Sequence, residues 1–362
     1  MNKCAKPNFM KKINLLLPFL LFCLTGCSQP ESAFCPCWSD TARTRTLRVC
    51  FYNLENFFDC EDDPQTNDNE FLPEGTYHWD AKRYYHKADQ LAKVLVAAGG
   101  WDYPELVGLA EVENSNVLKT LVNRDILKKA RYRYVHFDSP DPRGIDVALL
   151  YRPDRFQLCH AEPVPVHFPF QSGASTRDIL YVKGVAKGAS DTLHLFVNHF
   201  TSRYSGYKAT EHKRMHIATL LRGRIDSILR LQPQAAVLVM GDFNDTPADS
   251  SMRYGLRATL DAAHVESGEL INLMYPYMRQ GKVGTHKYHR QWSVLDQFVV
   301  TPSLTMPDAP YRVVSPVCIF AAPFLLEKDE KYLGEKPLRT YVGRDYQGGF
   351  SDHLPIVLDL AY

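Results

Sequence analysis

The chain is a succession of short apolar runs with strand character and longer segments with helical spacing. A first strand is predicted at 47–55, "LRVCFYNLE", whose apolar stretch gives way to Asn53 and Glu55. Tyr84, Ala88, Leu91 and Leu95 recur at helical intervals, so the spacing predicts a helix over 80–98 that stops at Gly99-Gly100. "ELVGLAEV" (105–112) predicts a strand, and 116–130 a second helix. "YRYVHFD" and "DVALLYR" predict two strands, with "SPDPRG" as the turn between them. Strands follow at 178–186 and 192–200, then a helix over 209–230 and a buried strand at 235–244, "AAVLVMGDFN". Two more strands are predicted at 294–300 and 354–360. Strands interleaved with helices place the chain in the α/β class.

The polar ends of these runs are the informative part. Asn53 and Glu55, then Glu111, then His199, then Asp242 with Asn244 all stand where an apolar strand stops. One such residue is an ordinary cap or turn group. The whole set predicts a sheet edge that carries a site. Near the C-terminus, "GGFSDHLP" (348–355) sets Asp352 and His353 side by side before a closing apolar run. Alone, Ser351-Asp352-His353 reads as a turn. Together with Asp296 in "VLDQFVV", the set offers hard oxygen donors and two imidazoles without a cysteine. Such donors select Mg²⁺, Mn²⁺ or Ca²⁺ over Zn²⁺. Oxygen-bound divalent metal, a general base, and amide or imidazolium donors are the equipment for displacement at phosphorus.

The N-terminus stands apart. Lys3, Lys6, Lys11 and Lys12 precede "INLLLPFLLFCL", which is too short to span a bilayer comfortably, and the stretch ends in "LTGC" at Cys27. This resembles the lipobox of bacterial lipoproteins. The resemblance implies cleavage before Cys27, lipidation of Cys27, membrane anchoring, and an extracytoplasmic place in the bacterial cell envelope, with the outer membrane expected. A plain secretory signal is the alternative. The expected organisation is a signal peptide at 1–26, a polar tether at 27–46 and a domain at 47–362. Loss of residues 1–26 removes four Lys and no acidic residue, so the formal charge goes from +1 to 1 − 4 = −3. That balance lacks the basic surplus typical of proteins that hold nucleic acid electrostatically, although a local basic groove is not excluded. Hydrophobic residues at 45% and charged ones at 23% exclude wholesale disorder. Beyond Cys27, Cys35, Cys37, Cys50, Cys60, Cys159 and Cys318 permit disulfides, and no zinc pattern is present. The acidic stretch 59–75 lacks the spacing of an EF-hand loop and reads as a solvated loop.

The blocks "NLENFF", "LAEVEN", "VNHFTSR", "GDFND", "VLDQFVV" and "GFSDHLP" occur in the order used by the endonuclease/exonuclease/phosphatase superfamily. The resemblance runs from about 47 to 362, and it is most specific in "GDFN" and "SDH". It implies a four-layer α/β sandwich, two packed mixed β-sheets flanked by helices. It further implies that Glu111 is the principal metal ligand, with Asn53 and Asp352 beside the metal. Asp242 and Asn244 look like the pair that orients the attacking water and contacts the phosphate. His353 resembles the imidazole at the scissile phosphate, Asp296 the carboxylate that orients it, and His199 the second His of the deoxyribonuclease branch. Asp146 is a candidate orienter behind His199, and Arg143 and Arg203 are candidate phosphate ligands, each against a plain turn or loop role. Glu55 and Glu113 read as outer or surface groups. His160, His167, His194, His212 and His216 read as structural. The expected activity is hydrolysis of phosphodiesters with a divalent metal, Mg²⁺ first and Mn²⁺ or Ca²⁺ next. The expected substrate is nucleic acid cut by an endonuclease. The alternatives are a phosphomonoesterase or sphingomyelinase-like enzyme acting on a small phosphate ester or phospholipid, and a non-catalytic surface-binding lipoprotein. A monomer is expected.

Overall fold

The structure is a computed structural model that describes residues 45–100 and 102–362. The signal peptide, Cys27 and most of the tether lie outside the described residues. Along the chain come β1 (Thr46–Phe57), α1 (Ala81–Ala98), β2 (Leu106–Val112), α2 (Ser115–Val122), β3 (Arg133–His136), β4 (Asp146–Tyr151), β5 (Phe156–Val164), β6 (Ile179–Ala186), β7 (Leu193–His199), α3 (Tyr207–Leu231) and β8 (Ala236–Asp242). They build two mixed sheets. The first runs Arg312–Val313, Ile356–Ala361, β1, β2, β4, β3, with Cys318–Ile319 also paired to Ile356–Ala361. The second runs β5, β6, β7, β8, Asp296–Val300, Leu270–Asn272, Ala258–Thr259.

Each sheet is organised around one parallel pair. β1 and β2 are parallel with α1 between them in sequence, and β7 and β8 are parallel with α3 between them. A parallel pair needs such a crossover, and the crossover covers one face of its sheet. Burial on both faces explains the unbroken apolar run of β8. Ala236, Leu238 and Met240 join the core shared with the first sheet, while Val237 and Val239 pack with Ile217, Leu221 and Ile225 of α3. The sheets meet closely at Gly108 on β2, where a Cβ would stand 2.6 Å from Met240 Sδ. α1 starts where the Asp80 carboxylate accepts from the Arg83 N–H at 2.9 Å, and it buries Tyr84, Ala88, Leu91 and Leu95, the predicted stripe.

Three segments depart from expectation. The second helix ends at Val122 rather than near 130, because Asn123 turns the chain and only a 3₁₀ turn follows at Lys128–Ala130. β5 carries polar residues along much of its length and is half-exposed at the sheet edge, so it lacks an apolar run. The 59–75 stretch is anchored as well as solvated. Asp68 is buried and accepts from the Asp63 N–H at 2.9 Å, and the Phe71 ring stacks on Phe58 at 4.5 Å. Cys318 is disulfide-bonded, whereas Cys50, Cys60 and Cys159 are free. Among the described residues no helix is long and apolar enough to cross a membrane.

Candidate functional site

Strand direction brings the polar residues together. Asn53, Glu111, His199 and Asp242 sit at or near the carboxyl ends of β1, β2, β7 and β8. The strand Ile356–Ala361 is antiparallel to β1, and Asp296–Val300 is antiparallel to β8. An antiparallel neighbour begins where its partner ends. Asp352 and His353, just before one strand, and Asp296, first in the other, therefore arrive at the same rim. Asp296 lies opposite Asp242 in register. Irregular backbone completes the arrangement. The β1–β2 register slips between Asn53 and Phe57, and the β2–β4 register slips between Ala110 and Val112. Among the described residues, four of the nine non-glycine residues with positive φ are here: Glu55, Asn56, Glu111 (φ 61°) and Asn244. Bulges of this kind re-aim a side chain, and strained backbone of this kind gathers at functional sites.

At the centre, His353 Nδ1 is 2.7 Å from Asp296 Oδ2, and His353 Nε2 is 3.8 Å from Asp242 Oδ2. Burial alone would disfavour the imidazolium. Asp296, Asp242 and Asp352 outweigh burial and hold the His353 pKa well above that of an ordinary histidine. Burial raises the Asp242 carboxyl to about 6, helped by Asp296 and opposed by His353 and the Asn244 N–H. His199 Nε2 is 3.6 Å from Asp242 Oδ2 and 3.8 Å from Glu111 Oε1. Burial, then Arg177 and Arg143, push His199 far down, so it is the neutral imidazole of the site. Asn53 Nδ2 donates to Asp242 at 3.1 Å and reaches Glu111 Oε1 at 3.3 Å. Asn244 is committed to shaping Asp242: its N–H donates to Oδ1 at 2.8 Å, and its Nδ2 also reaches the Phe200 carbonyl.

A second ring of residues holds these groups, and the sequence reading missed most of it. Arg339 donates from Nε to Glu55 at 2.9 Å and from Nη2 to Asp352 at 2.8 Å. Burial would lift the Asp352 carboxyl, but Arg339, His353 and His286 hold it at about 2. Lys87 is fully buried and bonds the Phe350 carbonyl at 2.7 Å and the Thr340 hydroxyl, with Glu55 Oε2 at 3.9 Å. Burial lowers Lys87 to about 8. Thr285 ties the sheets together: its hydroxyl accepts from the Asp296 N–H at 3.1 Å, and its carbonyl accepts from the Leu354 N–H at 2.7 Å. The Ser351 hydroxyl donates to the Asn53 carbonyl at 2.7 Å. His286 packs its ring 4.8 Å from that of His353, and burial pushes it down to about 4.

The three remaining candidates are placed differently. Asp146 does not orient His199. Its carboxylate takes the Ser139 hydroxyl and lies 3.3 Å from His136 Nε2, while His199 Nδ1 has no hydrogen-bond partner among the described residues. Arg177 holds the backbone there, donating to the His199 and Phe200 carbonyls at 3.0 and 2.8 Å. Arg203 is fixed by Asp245, Asp249 and the Asn244 carbonyl, and so braces the loop after β8. Arg143 is 46% exposed with Asp141 3.7 Å away, which leaves it available to an anion.

The donors also fit a hard divalent cation. Glu111 Oε1 has its nearest donors at 3.3 Å on Asn53 and 3.8 Å on His199, and Asp352 Oδ1 lies 4.0 Å from His353. Each carboxylate therefore keeps one oxygen without a strong partner, at the solvent edge of the site. Such oxygens suit Mg²⁺-type coordination. His353 does not suit it, because Nδ1 is taken by Asp296 and a metal-bound imidazole must be neutral.

A sequence model described as the endonuclease/exonuclease/phosphatase family matches residues 48–362. Comparison with curated protein sequences gives no match. Among solved structures, an endonuclease/exonuclease/phosphatase family protein from Bacteroides thetaiotaomicron is 16% identical with a TM-score of 0.55, over 88% of this chain and 95% of that one. A mannosyl-6-phosphatase from the same organism is also 16% identical with a TM-score of 0.55, over 87% of this chain and 100% of that one. TDP2 from D. rerio, complexed with a single-strand DNA product, is 15% identical with a TM-score of 0.53, over 88% and 99%.

Proposed function

Because the chain belongs to the endonuclease/exonuclease/phosphatase family of phosphate-ester hydrolases, we propose that it is a divalent-metal-dependent phosphodiesterase of endonuclease type, held outside the cytoplasm by lipid on Cys27. The observation that carries the chemistry is the buried His353–Asp296 pair, 2.7 Å apart, facing Asp242. Asp242 accepts the proton of a water whose oxygen bonds to phosphorus as the ester P–O bond breaks. His353, kept cationic by Asp296, donates to a nonbridging oxygen and holds the charge that builds there. His199, neutral, donates a hydrogen bond without adding charge. Glu111 and Asp352, with Asn53 beside them, would hold the cation. A bound divalent ion neutralises phosphate oxygens and stabilises the departing oxygen. Mg²⁺ is the first expectation.

Phosphomonoester hydrolysis is the second reading. The formal charge of −3 after removal of the leader supports it, as does a fold neighbour that is a mannosyl-6-phosphatase. A panel of plasmid DNA, RNA, sugar phosphates and sphingomyelin, each with Mg²⁺, Mn²⁺, Ca²⁺ or EDTA, separates the readings. EDTA should silence every activity. Glu111→Gln removes a charge and keeps the shape, so it should raise the metal concentration needed for half-maximal rate by about tenfold or more. Turnover that survives chelation, or an unchanged metal requirement in Glu111→Gln, counts against the assignment.

A further inference from the structure

Beside the cleft lies a hollow of about 250 Å³, walled by Phe71, Tyr77, Trp79 and Tyr341, with Asn56 and Arg339 among its lining. Two of those residues hold the carboxylates of the cleft itself. The Asn56 N–H donates to Glu111 Oε2 at 2.8 Å, and Arg339 Nη2 donates to Asp352 Oδ2 at 2.8 Å. The hollow and the cleft thus share a wall. Arg339 Nε is taken by Glu55, but Nη1 has no partner among the described residues, and the side chain is 39% exposed.

The walls are fixed in place. Phe71 and Tyr77 stack at 4.8 Å, Tyr77 meets Tyr341 at 4.8 Å, the Tyr341 hydroxyl donates to the Tyr77 carbonyl at 2.8 Å, and Trp79 Nε1 donates to the Phe58 carbonyl at 3.0 Å. A preformed hollow smaller than the roughly 300 Å³ of drug-sized clefts takes one ring rather than several. Aromatic walls suit the face of a base or the C–H face of a sugar, and a guanidinium at the rim suits an anionic oxygen attached to it.

We infer that this hollow is the subsite for a single ring, base or sugar, carried by the ester whose phosphate is cleaved, and that Arg339 Nη1 guides that ester from the hollow into the cleft. The inference rests on the reading of the cleft as a phosphate-ester hydrolase, and it sets ring-bearing esters above ring-free choline or glycerol esters.

Trp79 supplies a readout that needs no turnover. The purified full chain in EDTA is titrated with adenosine monophosphate, glucose 6-phosphate and glycerol 3-phosphate while Trp emission is followed, with Trp79→Phe as the blank. A saturable response to at least one ring-bearing ester is expected, with none to glycerol 3-phosphate. A response to glucose 6-phosphate shows that a sugar suffices, and a response to adenosine monophosphate alone shows that the nucleoside is needed. In kinetics, Phe71→Trp fills the hollow without touching Glu111, Asp352 or His353. It should raise KM for a cleaved ester that carries the responding ring about tenfold, the scale of one lost stacked ring, with kcat and ring-free esters near wild type. If that variant does not fold, Tyr77→Leu removes one wall and should move KM the same way. Turnover with Trp79 silent to both rings, or a KM change equal for ring-bearing and ring-free esters, overturns the subsite and leaves the hydrolase standing. A saturable Trp79 response without turnover of these monoesters, plasmid DNA, RNA or sphingomyelin supports the subsite and counts against the hydrolase.

Discussion

His353 and Asp296 are separated by 57 positions in sequence and by 2.7 Å in space. If they act as one unit, their losses should not multiply. His353→Ala should lower kcat about a hundredfold or more, Asp296→Asn should do much the same, and the double variant should be little worse than either. The check is a double-mutant cycle on kcat/KM with thermal melts as the folding control; two small effects, or two large ones that multiply, would dissolve the pair. Both residues were legible because each stands in a block with a family signature. Lys87, Thr285, His286 and Arg339 were not, since none lies in such a block. Lys87 did leave a trace. It falls on the apolar stripe of α1, three residues after Tyr84 and four before Leu91, where a cation has no business unless a buried partner waits for it. Asp146 shows the opposite failure: its neighbourhood in sequence suggested His199, whereas its nearest partners in space are His136 and Ser139.

At the scale of elements, apolar runs located the central strands because those strands are covered on both faces, and they missed β5 because an exposed edge strand has no such run. The bulges that aim Glu111 left no signal either, because a glutamate is not a residue that favours φ near +60°. The contact between the sheets makes a testable demand. A Cβ on Gly108 meets Met240 Sδ at 2.6 Å and the Phe51 ring at 3.1 Å. Gly108→Ala should therefore destabilise the fold by about 1–3 kcal/mol through overpacking. In a Met240→Ala background the same change should cost less, since the crowding atom is gone. Urea unfolding of the four proteins measures this. An equal cost in both backgrounds would show that the sheets do not press on each other at that point.

For the whole molecule, one geometric fact explains why scattered motifs make a single site. Two parallel pairs, each flanked by a strand of opposite direction, place the carboxyl ends of four strands and the approaches to two others on one rim. The polar strand ends were readable in sequence; which sheet each strand joins was not, because pairing between β1 and Ile356–Ala361 spans nearly the whole chain. The predicted anchor would hold the protein at a membrane surface. The motivation is chemical: the apolar run of the leader stops at Leu24-Thr25-Gly26-Cys27, so the cysteine stands where a signal-peptide cleavage and acylation step would act. Several acyl chains on one residue hold a protein stably, whereas one chain is marginal. Cys27→Ala should then shift the protein from the membrane fraction to soluble material, or leave an uncleaved precursor. The purified variant should keep wild-type kcat/KM on a soluble ester, because the catalytic groups lie beyond residue 52. A mature-sized Cys27→Ala protein that still sediments with membranes would mean that something other than lipid on this cysteine holds it there.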